Sequence, residues 1–407
     1  MNFAFFIARR LMRSKSSKSG LIINIAVAAV AISIAVMLLA VAVVKGYQLQ
    51  ITNKITGFSN DIQISRLDFN NSFETNPVYR DTALEKHISS DARVKFIQSF
   101  AIKAGIIKTN EEFEGIVLKG VTHEFNWDFI QHNLVEGNVF TPGDSAASGS
   151  IVISASTASK LNIKTGQGLI IYFIQEDGSL PRARKFTIAG IYNTGFSDLD
   201  ALYGLIDLKH IQKLNKWSDA QISGYEVSLR EYKDLDAVSA ELLTAVPYHL
   251  QVKPITQIYP QLFDWLALLD LNVLVIIILM IVVACINMST ALLILIVERS
   301  NMIGMLKAMG SSNKLIQRVF LAMAGRLITK GLLLGNGIGL LICVTQYYFG
   351  WIKLNQEDYF LSTVPIAISP FDVLWINAGA FALCLLVMLL PVKFVAKISP
   401  VKAIRFE

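Results

Sequence analysis

The chain is 407 residues long, 53% hydrophobic and 17% charged, with a formal net charge of +6. That is more apolar than a soluble globular protein needs. Its three cysteines, Cys285, Cys343 and Cys384, all fall inside apolar runs, which excludes a small secreted scaffold braced by disulfides.

Residues 1–20 carry Phe3, Phe6 and Ile7 beside Arg9, Arg10 and Arg13, the pattern of a cytoplasmic amphipathic segment lying flat on an anionic membrane surface. Leu21 to Val44 is a run of 24 residues without a charge. As a helix it covers about 36 Å, enough to cross a hydrocarbon core of about 30 Å. It ends in Lys45-Gly46-Tyr47 rather than at a small-residue cleavage site, so an uncleaved transmembrane helix is predicted over 21–46.

Residues 47–264 are mixed in polarity, and their hydrophobic period switches between 2 and 3.6. That predicts a large α+β extracytoplasmic domain inserted between the first and second spans. Strands are predicted at 61–67, at 100–108 pairing with 113–121, and at 150–153, the last followed by a helix capped by Ser154 or Ser156. Two more, at 169–173 and 185–192, are joined by a turn-rich segment that contains Leu180 and Pro181. That segment reads either as an ordinary hairpin tip or as a docking finger for a soluble partner. A helix at 236–245 and a lead-in at 259–269 return the chain to the membrane.

Three further spans are predicted at 265–297, 331–351 and 371–392, making a four-helix transmembrane domain. They are separated by a cytoplasmic link over 298–330 and a short periplasmic loop over 352–370, and a tail follows over 393–407. Arg326 and Lys330 would each cost about 2.5–3.5 kcal/mol at mid-membrane, which sets the start of the third span at Gly331. Asn287, inside the second span, is expected to make an interhelical hydrogen bond or to face substrate. Gly331, Gly335 and Gly339 recur every fourth residue and predict close helix packing, against a neighbour in this chain or in another.

In the link, Met302, Ile303, Leu306 and Met309 lie at helical spacing, Gly310 suits a C′ position and Ser312 caps a following helix. Nothing in the loop itself covers the apolar face of this short helix. It lies on the lipid surface or enters a groove on a soluble partner.

Cations set the orientation, because Lys and Arg near short loops stay on the cytoplasmic side. Arg9, Arg10, Arg13, Lys15 and Lys18 precede the first span, Arg299, Lys307, Lys314 and Arg318 fill the link, and Lys393, Lys397, Lys402 and Arg405 follow the last span. Lys353 stands alone in the other short loop. Both termini are therefore expected in the cytoplasm. Residues 47–264 hold 20 basic and 25 acidic residues, so the overall positive charge is a topology signal and no nucleic-acid partner is expected.

The sequence holds no His-Glu-x-x-His zinc motif, no Gly-x-Ser-x-Gly elbow and no Gly-rich phosphate loop. The chain reads as non-catalytic and metal-free, and any nucleotide energy must come from another subunit. A soluble ATPase is the natural occupant for a coupling helix.

The segment from Asn287 to Phe320, with Asn-Met-Ser-Thr-Ala-Leu, Val-Glu-Arg and Ile-Gly-Met-Leu-Lys-Ala-Met-Gly-Ser-Ser, resembles the second span and coupling helix of the LolC/LolE lipoprotein-releasing permeases of the MacB/FtsX-type superfamily. Phe6-Ile7-Ala8-Arg9-Arg10-Leu11, the strand 186–192 with Gly195, Asp198 and Asp200, and the C-terminal Ile398-Ser399-Pro400 through Glu407 are similar to other parts of that family. The resemblance implies a bacterial inner-membrane permease subunit of an ABC transporter that works by mechanotransmission. Its implied partners are a LolD-like ATPase dimer, which holds the ATP and Mg, a second permease subunit, a LolA-like periplasmic carrier, the lipoprotein substrate and the bilayer. It places Glu298, Arg299, Ile303, Leu306, Lys307, Met309 and Gly310 at the ATPase contact. A carrier-docking hairpin would include Gln175, Leu180, Pro181, Arg182, Arg184 and Phe186. Competing readings are a MacB-like efflux permease, an FtsX-like regulator of cell-wall hydrolases, and a membrane-anchored binding scaffold.

Overall fold

A computed structural model describes residues 17–68, 73, 75–109, 112–143, 146–174 and 180–397. The amphipathic segment before Ser17, the hairpin tip including Gln175, and the C-terminal signature from Ile398 lie outside the described residues. The chain divides into a helical unit, which holds the segments up to Leu49, Trp265–Lys353 and from Thr363 on, and an α+β unit of Gln50–Asp264 with Leu354–Ser362.

Helix α1, Ser17–Ser59, begins in the first unit and ends in the second. Lys45 closes the apolar run but not the helix. Ile51, Ile55 and Phe58 repeat at helical spacing and are buried, which carries α1 well past the predicted limit at 46.

In the α+β unit the chain continues as β1, Ile62–Arg66; β2, Val78–Tyr79; α2, Thr82–Ser89; β3, Val94–Lys108; β4, Phe113–Val121; α3, Asp128–His132; β5, Leu134–Gly137; and β6, Ser150–Ser154. Then come α4, Ala155–Lys160; β7, Gly168–Phe173; β8, Arg182–Tyr192; α5, Ser197–Leu202; β9, Tyr203–Asp207; α6, Leu208–Asn215; β10, Gln221–Ile222; β11, Gly224–Leu229; α7, Leu235–Ala245; β12, Leu250–Pro254; and α8, Ile255–Ile258. The predicted strands and the helices at 155–160 and 235–245 are present, and Ser154 is the cap of α4, accepting from Thr157 N at 3.1 Å.

The ten-stranded sheet runs β12-β1-β11-β3-β4-β9-β6-β8-β5, and β7 bridges β3 to β8. Strands β3, β4, β9, β6, β8 and β7 therefore close into a ring. Closure depends on a residue with no side chain: a Cβ on Gly105 would stand 2.7 Å from Ile171 Cγ2, so only glycine lets β7 cross β3 this closely. Beyond the ring, β11, β1 and β12 extend the sheet. Leu84 and Ile88 of α2, and Leu235, Val238 and Leu242 of α7, are buried in this unit.

The helical unit adds α9, Pro260–Glu298; α10, Ser300–Ala308; and α11, Asn313–Phe349. After the short α12, Gln356–Tyr359, which belongs to the α+β unit, come α13, Pro370–Val387, and α14, Leu389–Lys397. Among the described residues four helices are long and apolar enough to cross a membrane: α1, α9, α11 and the stretch Pro370–Lys393. The third begins at Asn313 rather than near Gly331, because the helix capped by Ser312 runs on without a break. A membrane boundary set by Arg326 and Lys330 is not a helix boundary. A capping box between Ser369 and Asp372, with Pro370 in the first turn, starts α13.

Packing in this unit centres on α1. Val30, Ile34, Met37 and Leu38 join Met288, Leu292, Phe320, Leu327 and Met388 in one core. Gly331, Gly335 and Gly339 face α1 of the same chain: added Cβ atoms would stand 2.6 Å from Val30 Cγ1, 2.6 Å from Ala31 O and 3.2 Å from Ala35 Cα. The expected interhelical bond of Asn287 needs correction. Among the described residues the Asn287 side chain makes no hydrogen bond. The interhelical pair is Asn336 with Asn377, bonded reciprocally at 2.7 and 2.9 Å, each also donating 2.7 Å to a carbonyl one turn back on its own helix.

Candidate functional site

The link folds as the residue types dictate. Gly310 adopts φ +88°, which leaves Gly310 N to bond Lys307 O and Ser311 N to bond Leu306 O, both at 3.0 Å. This is a Schellman end to α10. Ser312 then accepts from Leu315 N at 3.3 Å and starts α11.

The rotation of α10 corrects the predicted contact face. Ile303 is 0% exposed, and Met302 and Leu306 pack beside it against the bundle core. The apolar face is covered by its own unit, and Ile303 is buried there rather than presented at the surface. Asn301, Met305, Ala308, Met309 and Gly310 form the exposed face, with Met305 54% and Met309 74% exposed. Glu298 is exposed, while Arg299, Leu306 and Lys307 are half-buried.

The hairpin residues also separate. Leu180 is 88% exposed and Pro181 is exposed. Arg182 and Arg184 already belong to β8, opposite Phe173 and Ile171 of β7, and are half-buried. Phe186 follows them on the inward side of the same strand. At 1% exposure, edge-on to His210 at 4.9 Å, it is core and not a docking residue. His210 Nε2 lies 2.8 Å from Ser148 O, and burial pulls its pKa down.

Sequence reasoning missed a third place, in the α+β unit where α1 ends. Lys119 of β4 and Glu226 of β11 share one face of the sheet across β3, their charged atoms 2.8 Å apart. Lys119 Nζ also donates to Phe58 O at 2.8 Å, and Glu226 Oε2 accepts from Asn60 Nδ2 at 2.8 Å and Gln98 Nε2 at 2.9 Å. These two charges thus hold the last turn of α1. The readable signal was Glu226 alone in the otherwise uncharged β11 and Lys119 in the apolar half of β4. An open cavity of about 480 Å³ lies on this face, lined by residues that include Gln63, Phe100, Ile102, Tyr203 and Tyr259. Tyr259 Oη lies 3.2 Å from Ser59 Oγ, and burial raises the pKa of both Tyr203 and Tyr259.

Exposed aromatic side chains gather at one end of the helical unit: Tyr347, Tyr348, Phe349 and Trp351 where α11 ends, and Phe371 and Trp375 where α13 begins. Amphipathic rings at this level on apolar helices match the headgroup belt of membrane proteins.

Apolar helices of spanning length, a glycine-packed bundle and an appended α+β domain define a multi-pass membrane permease. Residues 25–245 match the MacB-like periplasmic core domain and residues 274–400 the FtsX-like permease C-terminal domain. The chain belongs to the MacB/FtsX-type superfamily of ABC transporter permeases, as a LolC/LolE-type homologue. It is similar to the lipoprotein-releasing system transmembrane protein LolE of Haemophilus influenzae, 22% identical over 99% of both chains. Similarity to LolC of Neisseria meningitidis serogroup B is 21%, again over 99% of both. The periplasmic region of MacB from Actinobacillus actinomycetemcomitans is 12% identical with a TM-score of 0.35, covering 52% of this chain and 96% of that one. Permeases of this class work with an ATPase and a second permease subunit.

Proposed function

We propose that this chain is the permease subunit through which a LolD-like ATPase dimer, holding ATP and Mg, drives lipoproteins out of the bacterial inner membrane to a LolA-like carrier. A second permease subunit completes the complex. The membrane segments are 21–46, 265–297, 331–351 and 371–392, with both termini in the cytoplasm and the α+β domain in the periplasm. The cation distribution supports this orientation, and the exposed aromatic rings at one end of the helical unit suit a headgroup interface.

The observation that carries the reading is the pair Met305 and Met309, exposed on a helix whose other face is sunk into the bundle. Soft, adaptable methionine side chains on a rigid base suit a groove on a soluble ATPase. Movement pressed onto this face passes through Ile303 into the bundle core.

Lipid chemistry explains why such a device is needed. Each buried CH2 is worth about 0.8 kcal/mol, so drawing several acyl chains into water costs tens of kcal/mol. The substrate needs a sheltered apolar path, and the outer half of α9, with Leu268, Leu271, Leu274 and Val275 exposed, supplies apolar surface for it. Leu180 and Pro181 then offer the carrier its contact.

Co-purification tests the assignment. The solubilised chain is expected to bring an ATPase with it, and M305E/M309E to lose that ATPase while remaining monodisperse; an ATPase retained by the double variant overturns the contact. Depletion tests the cargo. Lipoproteins should accumulate in the inner membrane, and their normal distribution would exclude release as the function.

A further inference from the structure

Between α11 and α13 the chain leaves the helical unit after Lys353 and rejoins it at Thr363; the stretch Leu354–Ser362 belongs to the α+β unit. The attachment is built. The Phe360 ring stacks on buried Phe196, centroids 4.5 Å apart at 26°. Lys54 Nζ donates to Phe360 O at 2.9 Å and to Thr194 O at 2.6 Å. Leu361 is buried, and the side chain of Gln356 lies over Gly195, which has φ +70°.

The receiving turn is fixed in advance. Asp200 accepts from Thr194 N at 3.2 Å and Thr194 Oγ1 at 2.8 Å through one oxygen, and from Gly195 N at 3.0 Å through the other. Phe360 itself adopts φ +57°, a left-handed conformation that a bulky side chain rarely takes and that persists only where the surroundings over-determine it. A loop that merely joined two helices in water would need neither the strain nor the half-buried cation.

We propose that Leu354–Ser362 is a permanent strap, with Phe360 its hook and Lys54 its catch, by which movement of α11 and α13 is delivered to the α+β domain. Lys54 lies on α1, so one ammonium fastens three segments: the end of α1, the turn at 193–200 and the strap. The domain is then pulled through α1 and α9, which run into it, and also through the second helical pair. Phe360 and Lys54 are positioning residues. This proposal rests on the reading of the chain as an ATP-driven permease.

The test places p-benzoylphenylalanine at position 360 of the full chain in nanodiscs with its ATPase. The complex is irradiated without nucleotide, with a non-hydrolysable ATP analogue and with vanadate. Mass spectrometry should find a cross-link to the 193–200 peptide at equal yield in all three. Its absence throughout, or its loss in one state, overturns a permanent strap. In cells, F360A should lower lipoprotein released per ATP hydrolysed by about tenfold while complex assembly and ATP hydrolysis persist, and F360Y should restore it. Unchanged release in F360A overturns the proposal. Because the cross-link is also scored on the chain alone, failure of the strap and failure of the permease reading give different results: no cross-link in one case, no co-purifying ATPase in the other.

Discussion

Lys119 Nζ stands 2.8 Å from Glu226 Oε1, each side chain 3% exposed, and the same ammonium donates to Phe58 O in the last turn of α1. A buried pair of this kind is costly to desolvate and gains little over an apolar pair, but it is severe to break. Its use here is directional, since the carbonyls at a helix C-terminus favour a cation. The pair thus fixes where α1 enters the sheet.

Removing one partner leaves the other charged in the core. E226A is expected to destabilise the domain by about 3–5 kcal/mol, while K119M/E226L should cost clearly less than the sum of the single changes. Urea unfolding of the solubilised chain, followed by tryptophan fluorescence, measures both. Additive losses would show that the two residues do not act as a pair.

The glycine face of α11 gives a second prediction with an internal control. A Cβ at Gly335 would stand 2.6 Å from Ala31 O and 2.8 Å from Ile34 Cβ, whereas nothing lies within 4 Å of one at Gly337. G335A should cost about 1–3 kcal/mol through forced separation of α1 and α11. G337A should be neutral or slightly stabilising through helix propensity. Thermal unfolding in detergent, read by size-exclusion chromatography, distinguishes them.

The long apolar helices were legible because composition alone commits them to a membrane, and β8 because the alternation in its first half is local. Limits set by membrane energetics misled where the backbone does not need to stop. Lys45 closes the uncharged run but not α1, and Arg326 and Lys330 lie inside α11. The facing of α10 was not legible, since its apolar stripe fits a partner groove and its own bundle equally well; only packing around Ile303 decides. Ring closure through β7 and the capture of Phe360 depend on pairings between distant segments, which no local period encodes.

Asn336 and Asn377 supply a third test. Each amide is fully used by its partner and by a carbonyl on its own helix. Interhelical hydrogen bonds in membranes average about 0.6 kcal/mol and reach about 1.7. N336L should therefore lose stability because Asn377 is left facing an apolar side chain, and N336L/N377L should recover most of it. A double-mutant cycle in detergent reads the coupling, and a value near zero would mean that the two amides bond independently to their own backbones.

Acid titration of the α+β domain should show two opposed effects. Hydrogen bonds from Arg93 hold the Asp91 carboxyl at about 2, below its ordinary 3.8, and Arg93 likewise lowers the pKa of Glu241. A folded pKa below the unfolded one means that the ionised form favours the fold, so this contribution is present above about pH 4 and disappears as the pH falls through about 2. Asp61 is the reverse case. Burial raises its pKa despite the bond from Leu229 N at 2.7 Å, so the folded chain takes up that proton first and gains stability as the pH falls from neutral toward 3.8. D91N should flatten the loss at the acid limb, and D61N should remove the gain above it. Unfolding midpoints of wild type and both variants between pH 7 and 2 measure these slopes. A D91N curve parallel to wild type below pH 4 would show that Arg93 does not hold the carboxylate in the folded chain.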